Sequence, residues 1–171
     1  MLAISGIFNT NNIIGKEIKK KKYINNYNQN FKSITKSNLA IDYMDYEYNK
    51  CFFKIGKNNF CIVVGDIFEE QVVENKISKS EYLYNIFKFK GLEDVNKING
   101  SYLFLIYEKN TLYIGKEQNS IIPCYYYFNE KNFIFSNDLK KILNFDLSKN
   151  INLTNIFTPI LCGGIYLDNT T

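Results

Sequence analysis

With 171 residues, 46% of them hydrophobic and 16% aromatic, the chain has the size of one domain and enough apolar side chain for a sizeable core. Histidine is absent, which removes the usual general base and the commonest metal ligand; any catalysis falls to an amine, a carboxylate or an N-terminal nucleophile, and no metal or cofactor is expected. The formal charge of +4 owes much to "KEIKKKK", Lys16 to Lys22, which lacks interleaved aromatics and reads as a solvated loop or hairpin tip, so no nucleic-acid partner is expected. No apolar run approaches the roughly 18 residues of a membrane span, and the N-terminus lacks the order of a signal peptide, so the expected location is the cytoplasm.

In chain order, "MLAISGIF" opens the chain and Ser5 starts the first strand. "FFKIGKNNFCIVVGDI", Phe52 to Ile67, holds two apolar runs around a Gly/Asn turn and predicts a β-hairpin. A helix follows in "SKSEYLYNIFKFKG": Ser78 or Ser80 caps it, Leu83, Ile86 and Phe87 recur at helical spacing, and Gly91 ends it. "SYLFLIYEKNTLYIGK" and "CYYYFNEKNFIFS" each predict two strands around a short polar turn, and Ser136 or Asn137 caps a short helix in "DLKKILN". The order predicts an α+β layered domain. "YLFLIY" and "CYYYF" do not alternate cleanly, as expected of strands covered on both faces. Cys51, Cys61, Cys124 and Cys162 are scattered and read as reduced core residues.

Residues Ile98 to Leu143 resemble the second half of the glutaminase domain of asparagine synthetases and their relatives, the class II glutamine amidotransferases. The matching positions are Asn99, Gly100, Pro123, Tyr125, Tyr126, Phe135, Ser136, Lys140 and Leu143, while Lys116, Glu117, Ser120 and Ile122 depart from the family pattern. The similarity extends weakly to both ends, with "SGIF" at the catalytic start and "CGGIYLDNTT" at a connector. The resemblance implies the four-layer αββα sandwich of N-terminal-nucleophile hydrolases, two stacked antiparallel sheets between helices. It divides the chain into a degenerate glutaminase-like domain, 1–150, and a connector toward a synthetase half, 151–171.

In that family the first residue of the mature chain is a cysteine whose own α-amino group, with a pKa near 8, serves as the base. The equivalent place here is Ser5, behind Met1 to Ile4, so its nitrogen is an amide and no catalytic residue is assigned with it. The family's Asn-Gly-Glu turn falls on Val64, Gly65 and Asp66; loss of the Asn removes one oxyanion donor, typically worth about 3 kcal/mol. Gly65 and Asp66 are the candidates for a vestigial substrate pocket, or a turn retained for structural reasons. The family carboxylate that binds the substrate's α-amino group aligns near Lys79, where a cation would repel that amine. The Arg that grips the substrate carboxylate is missing from the segment 49–57, where Lys54 offers only a point charge.

Three readings follow. One is a non-catalytic glutaminase-like domain serving an ATP-dependent, amide-forming partner of the asparagine synthetase type, as in enzymes that cyclise peptides or natural products. Another is an amidohydrolase activated by cleavage before Ser5, and a third is a stand-alone small-molecule binding domain. The glycines are not arranged as a phosphate loop, so ATP binding by this chain is not expected. Ile156, Phe157, Ile160, Leu161, Ile165 and Tyr166 predict an apolar surface over 157–167 that meets a synthetase-type subunit, a C-terminal half or a second copy of the chain.

Overall fold

A computed structural model describes residues 3–9, 31–44, 51–74, 76–145 and 147. The Lys16–Lys22 run, Cys162, the boundary at residue 150 and the expected apolar surface over 157–167 lie outside the described residues. Among the described residues nine strands build two sheets: β1 (Ile4–Asn9), β2 (Phe31–Thr35), β3 (Leu39–Met44), β4 (Phe52–Ile55), β5 (Asn59–Ile67), β6 (Gly100–Glu108), β7 (Thr111–Lys116), β8 (Tyr125–Phe128) and β9 (Asn132–Ser136). The first sheet runs β2-β3-β1-β9-β8 and the second β4-β5-β6-β7, with every described strand pair antiparallel.

The alternation of side chains along each strand assigns the layers. Ile4, Ile41 and Tyr43 of the first sheet share one buried cluster with Ile62, Val64, Leu103 and Leu105 of the second, so these residues fill the space between the sheets. The odd-numbered residues Cys61 and Val63 and the even-numbered Phe104 and Ile106 face away from it, onto Leu83 and Tyr84 of α2 (Lys79–Lys90) and Val95 of α3 (Leu92–Val95). On the far side of the first sheet, Ile7, Ala40 and Ile134 pack on Ile142 of α4 (Leu139–Leu143). Helix, sheet, sheet, helix is the expected four-layer sandwich, with the helices on opposite outer faces. Among the described residues no helix is long and apolar enough to cross a membrane.

The predicted elements have identifiable local causes. Ser78 Oγ accepts from the Glu81 amide at the start of α2, and Gly91 closes it at φ 91°. The β6–β7 hairpin turns through Lys109 and Asn110, both at positive φ, the two-residue geometry whose twist suits a hairpin. Asp138, rather than Ser136 or Asn137, caps α4, its carboxylate accepting from the Lys140 amide at 3.0 Å. The short α1 (Glu70–Val73) and α3 were not predicted; with about one turn each, they give no periodicity to detect.

The two aromatic strands part company. β6 lies inside the second sheet, and Leu103 to Tyr107 are buried in the runs on both its faces. β8 is the last strand of its sheet, and Tyr125, Tyr126 and Phe128 are 40%, 66% and 60% exposed, against the expectation of cover on both faces. Position in the sheet, which composition does not encode, makes the difference. Cys51 and Cys61 are buried and unbridged, Cys124 is partly buried and also unbridged, and burial pushes the Cys61 thiol up in pKa.

Candidate functional site

Ser5 sits inside β1, the middle strand of its sheet, paired with Asp42 on β3 and Ser136 on β9. Its side chain is on the same face as Ile7, toward the α4 layer rather than into the space between the sheets. The residue is 1% exposed and its hydroxyl oxygen has no hydrogen-bond partner among the described residues. Next to it, Asp42 accepts from Ser33 Oγ at 2.5 Å. Above this polar row stands Lys141, whose amine is lowered by burial, against the raising influence of Asp138 and Asp42.

Ile4 and Ala3, ahead of Ser5, are held by hydrogen bonds. The Ile4 amide donates to Asn137 Oδ1 at 2.9 Å, while the Ile4 carbonyl accepts from Ser136 Oγ at 3.1 Å and from the Asn137 amide at 3.2 Å. The Ala3 carbonyl accepts from the Met44 amide at 2.9 Å. The strand thus continues through the position where an N-terminal nucleophile would present its amine. Asn137, by sequence a helix-cap candidate, is a principal anchor of this strand.

Gly65 and Asp66 lie near the end of β5, opposite Tyr102 and Ser101 of β6. Gly65 has φ 100°, and a Cβ there would stand 2.2 Å from the Ser101 carbonyl oxygen and 2.4 Å from Ile122 Cδ1. Backbone conformation and close approach both demand glycine. Lys79, 5% exposed, reaches in from the first residue of α2 and donates from Nζ to the Gly65 carbonyl at 2.5 Å, with Asp66 Oδ1 at 3.9 Å. The positive end of a helix dipole disfavours a lysine at that position, so the carbonyl and the Asp66 carboxylate supply the local compensation. Val64 points the other way, into the core between the sheets.

The structure therefore brings Gly65, Asp66 and Lys79 together and leaves Ser5 on the outer face of the other sheet. Lys54 is not part of the Gly65 group. It pairs with Phe60 at the opposite end of β5, five residues from Gly65 and so about 17 Å away along the strand. Among the described residues no cluster of acidic, cysteine or histidine side chains is placed to hold a metal ion.

Residues 59–144, half of the chain, match the family described as a glutamine amidotransferase domain. The chain belongs to that family. The matched segment runs from β5 through α4 and contains Gly65, Asp66, Lys79 and the Ser136–Asn137 pair that anchors the start of β1. A solved glutamine phosphoribosylpyrophosphate amidotransferase from B. subtilis, complexed with ADP and GMP, superposes with a TM-score of 0.47 at 16% identity, over 81% of this chain and 36% of that one. This glutamine amidotransferase domain thus spans about a third of the length of that structure. No curated protein matches the chain.

The sequence of this glutamine amidotransferase domain located Gly65 and Asp66 but not the destination of the Lys79 amine. The register needed for that lies in the packing of α2 across β5. A weaker signal was present: a lysine at the first position of a helix, against the dipole, asks for a nearby acceptor.

Proposed function

We propose that this chain is a glutaminase-like domain without glutaminase activity that serves an ATP-dependent, amide-forming enzyme of the asparagine synthetase type. One observation carries the reading: the Lys79 ammonium stands on the Gly65 carbonyl beside Asp66, in the part of the domain where the family resemblance implies recognition of the substrate's α-amino group. A resident cation there repels an ammonium group and occupies its acceptors. The enclosed peptide nitrogen of Ser5 and the apolar Val64 support the same conclusion, because the base and one oxyanion donor are missing as well.

Loss of glutamine hydrolysis is compatible with such a partnership when the nitrogen comes from the acceptor substrate itself, as in ring closure of a peptide or natural product. The decisive assay incubates the purified chain with glutamine and with a glutamine-mimicking diazoketone. The expected outcome is no ammonia and no covalent adduct; ammonia release, or stoichiometric labelling at Ser5, overturns the non-catalytic reading. Co-expression with a synthetase-type protein encoded alongside tests the partnership, which fails if the two do not co-purify.

The unpartnered Ser5 hydroxyl favours one second reading, an amidohydrolase released by cleavage before Ser5. The intact mass distinguishes the two, since a chain that retains Ile4 has no N-terminal serine.

A further inference from the structure

The two sheets part at the side bounded by the edge strands β2 and β4, and a cavity of about 580 Å³ opens there. That size falls among small-molecule sites, which run from about 300 to 1,000 Å³. Its lining has an unusual composition. Lys32, Lys36, Lys54 and Lys57 all border it, and no carboxylate does among the described residues. Lys32 pairs with Tyr43 and Lys54 with Phe60, so these two lysines share the inward side of their strands with the rings of the core.

The floor is aromatic. Of the lining rings, Tyr43 and Phe52 stack with centroids 5.5 Å apart and Phe52 meets Phe60 at 5.8 Å; Phe60 in turn stacks at 5.5 Å on the buried Tyr107. Tyr43 and Phe60 are buried, while Phe52, which also borders the cavity, is only partly so. Lys36 Nζ lies 5.8 Å from the Phe60 centroid and 5.3 Å from that of Tyr107, and donates to the Asn58 carbonyl at 2.6 Å. Burial lowers the Lys36 amine, and the nearby charge of Lys54 lowers it further. Lys36, Lys54 and Lys57, gathered over an apolar floor with no carboxylate among the described lining residues, call for a counter-charge, and the ring row calls for a flat apolar group.

We propose that this cleft binds a small polyanion carrying one flat ring, the chemistry shared by nucleotides and simple aromatic phosphomonoesters. The anion lies between Lys36 and Lys54, and the ring lies against Phe52. The site stands apart from Gly65 by about five residues of strand, roughly 17 Å, and does not depend on the proposed loss of glutaminase activity.

Calorimetric titration of the full chain tests it with adenosine monophosphate, phenyl phosphate, adenosine and inorganic phosphate as probes. The expected result is saturable binding of one or both phosphomonoesters. Adenosine and inorganic phosphate should each bind about tenfold more weakly or worse, since each lacks half of the contacts. A preference for adenosine monophosphate identifies a nucleotide, and equal binding identifies the simpler ester. The double variant Lys36→Gln/Lys54→Gln should weaken binding about tenfold or more while its circular dichroism shows the chain still folded. Should that variant fail to fold, Lys57→Gln, an exposed change in the β4–β5 turn, must still weaken binding and flatten its salt dependence. Phosphomonoesters that bind no tighter than adenosine, or variants that keep full affinity, overturn the proposal. Variants that aggregate while retaining affinity also overturn it, and assign the inward lysines to protection of the sheet edges.

Discussion

The two places where the family resemblance implies glutaminase machinery stand in opposite states. Around Gly65 the polar groups are answered from within the chain, with the Lys79 ammonium on the Gly65 carbonyl and the Asp66 carboxylate beside it. At Ser5 a hydroxyl is buried with no hydrogen-bond partner among the described residues. The difference follows from what else each position does. The glycine is required by a positive φ and by the close approach of β6, so its place in the fold holds it whether or not a ligand binds. The serine side chain packs in a polar row whose other members find partners of their own, and its hydroxyl contributes nothing that a methyl group would not.

The largest test of this contrast is Gly65→Ala. A Cβ directed at the Ser101 carbonyl, on a backbone at φ 100°, should cost about 3 kcal/mol or more in a urea titration, enough to unfold a marginal domain. A loss below about 1 kcal/mol would mean that β5 and β6 can separate there at little cost. Next comes Lys79→Met, which keeps the aliphatic stem but leaves the Gly65 carbonyl without its ammonium donor. The expected destabilisation is about 1 to 3 kcal/mol, and a neutral result would show that the contact is incidental.

Tyr102, the strand partner of Gly65, gives a test by pH. Its hydroxyl donates to the Val95 carbonyl at 2.9 Å, and burial, aided by Glu117 and Glu69, pushes its pKa up to about 12. A raised pKa means that the folded state holds the proton more tightly than the unfolded chain. Its contribution is therefore complete below about pH 10 and is lost as the pH rises from there toward 12. Tyr102→Phe should flatten the fall in stability across that alkaline window; an unchanged slope would assign the fall to other groups.

The smallest expected effect is at Ser5. Removing a buried hydroxyl that has no partner by Ser5→Ala should shift stability by less than about 0.5 kcal/mol or raise it slightly. A loss above about 1 kcal/mol would reveal a hydrogen bond to Ser5 and remove the contrast with Gly65.

Much of the architecture was legible in the chain. The Gly/Asn turn between Phe53 and Phe60, the cap at Ser78 and the stop at Gly91 each act through neighbours within a few residues, so local sequence contains the whole cause. The family resemblance added the sandwich, which periodicity alone could not select from the layered alternatives. Position within a sheet was not legible: "YLFLIY" and "CYYYF" are equally aromatic, yet one strand is enclosed and the other lies at an edge.

For the candidate site the division is sharper. The sequence by itself determined that histidine is absent, that a serine stands where the family resemblance puts the nucleophile, and that Gly65 and Asp66 belong to a turn-like strand end. It also placed a lysine at the head of the following helix. Only the tertiary structure decided where that lysine's charge goes, which face of β1 carries Ser5, and that four lysines separated in sequence border one cavity. The physical reason is range: turns and caps are closed by hydrogen bonds a few residues long, whereas a charge finds its counterpart through the register of strands and the seating of a helix. These are properties of the packed core as a whole.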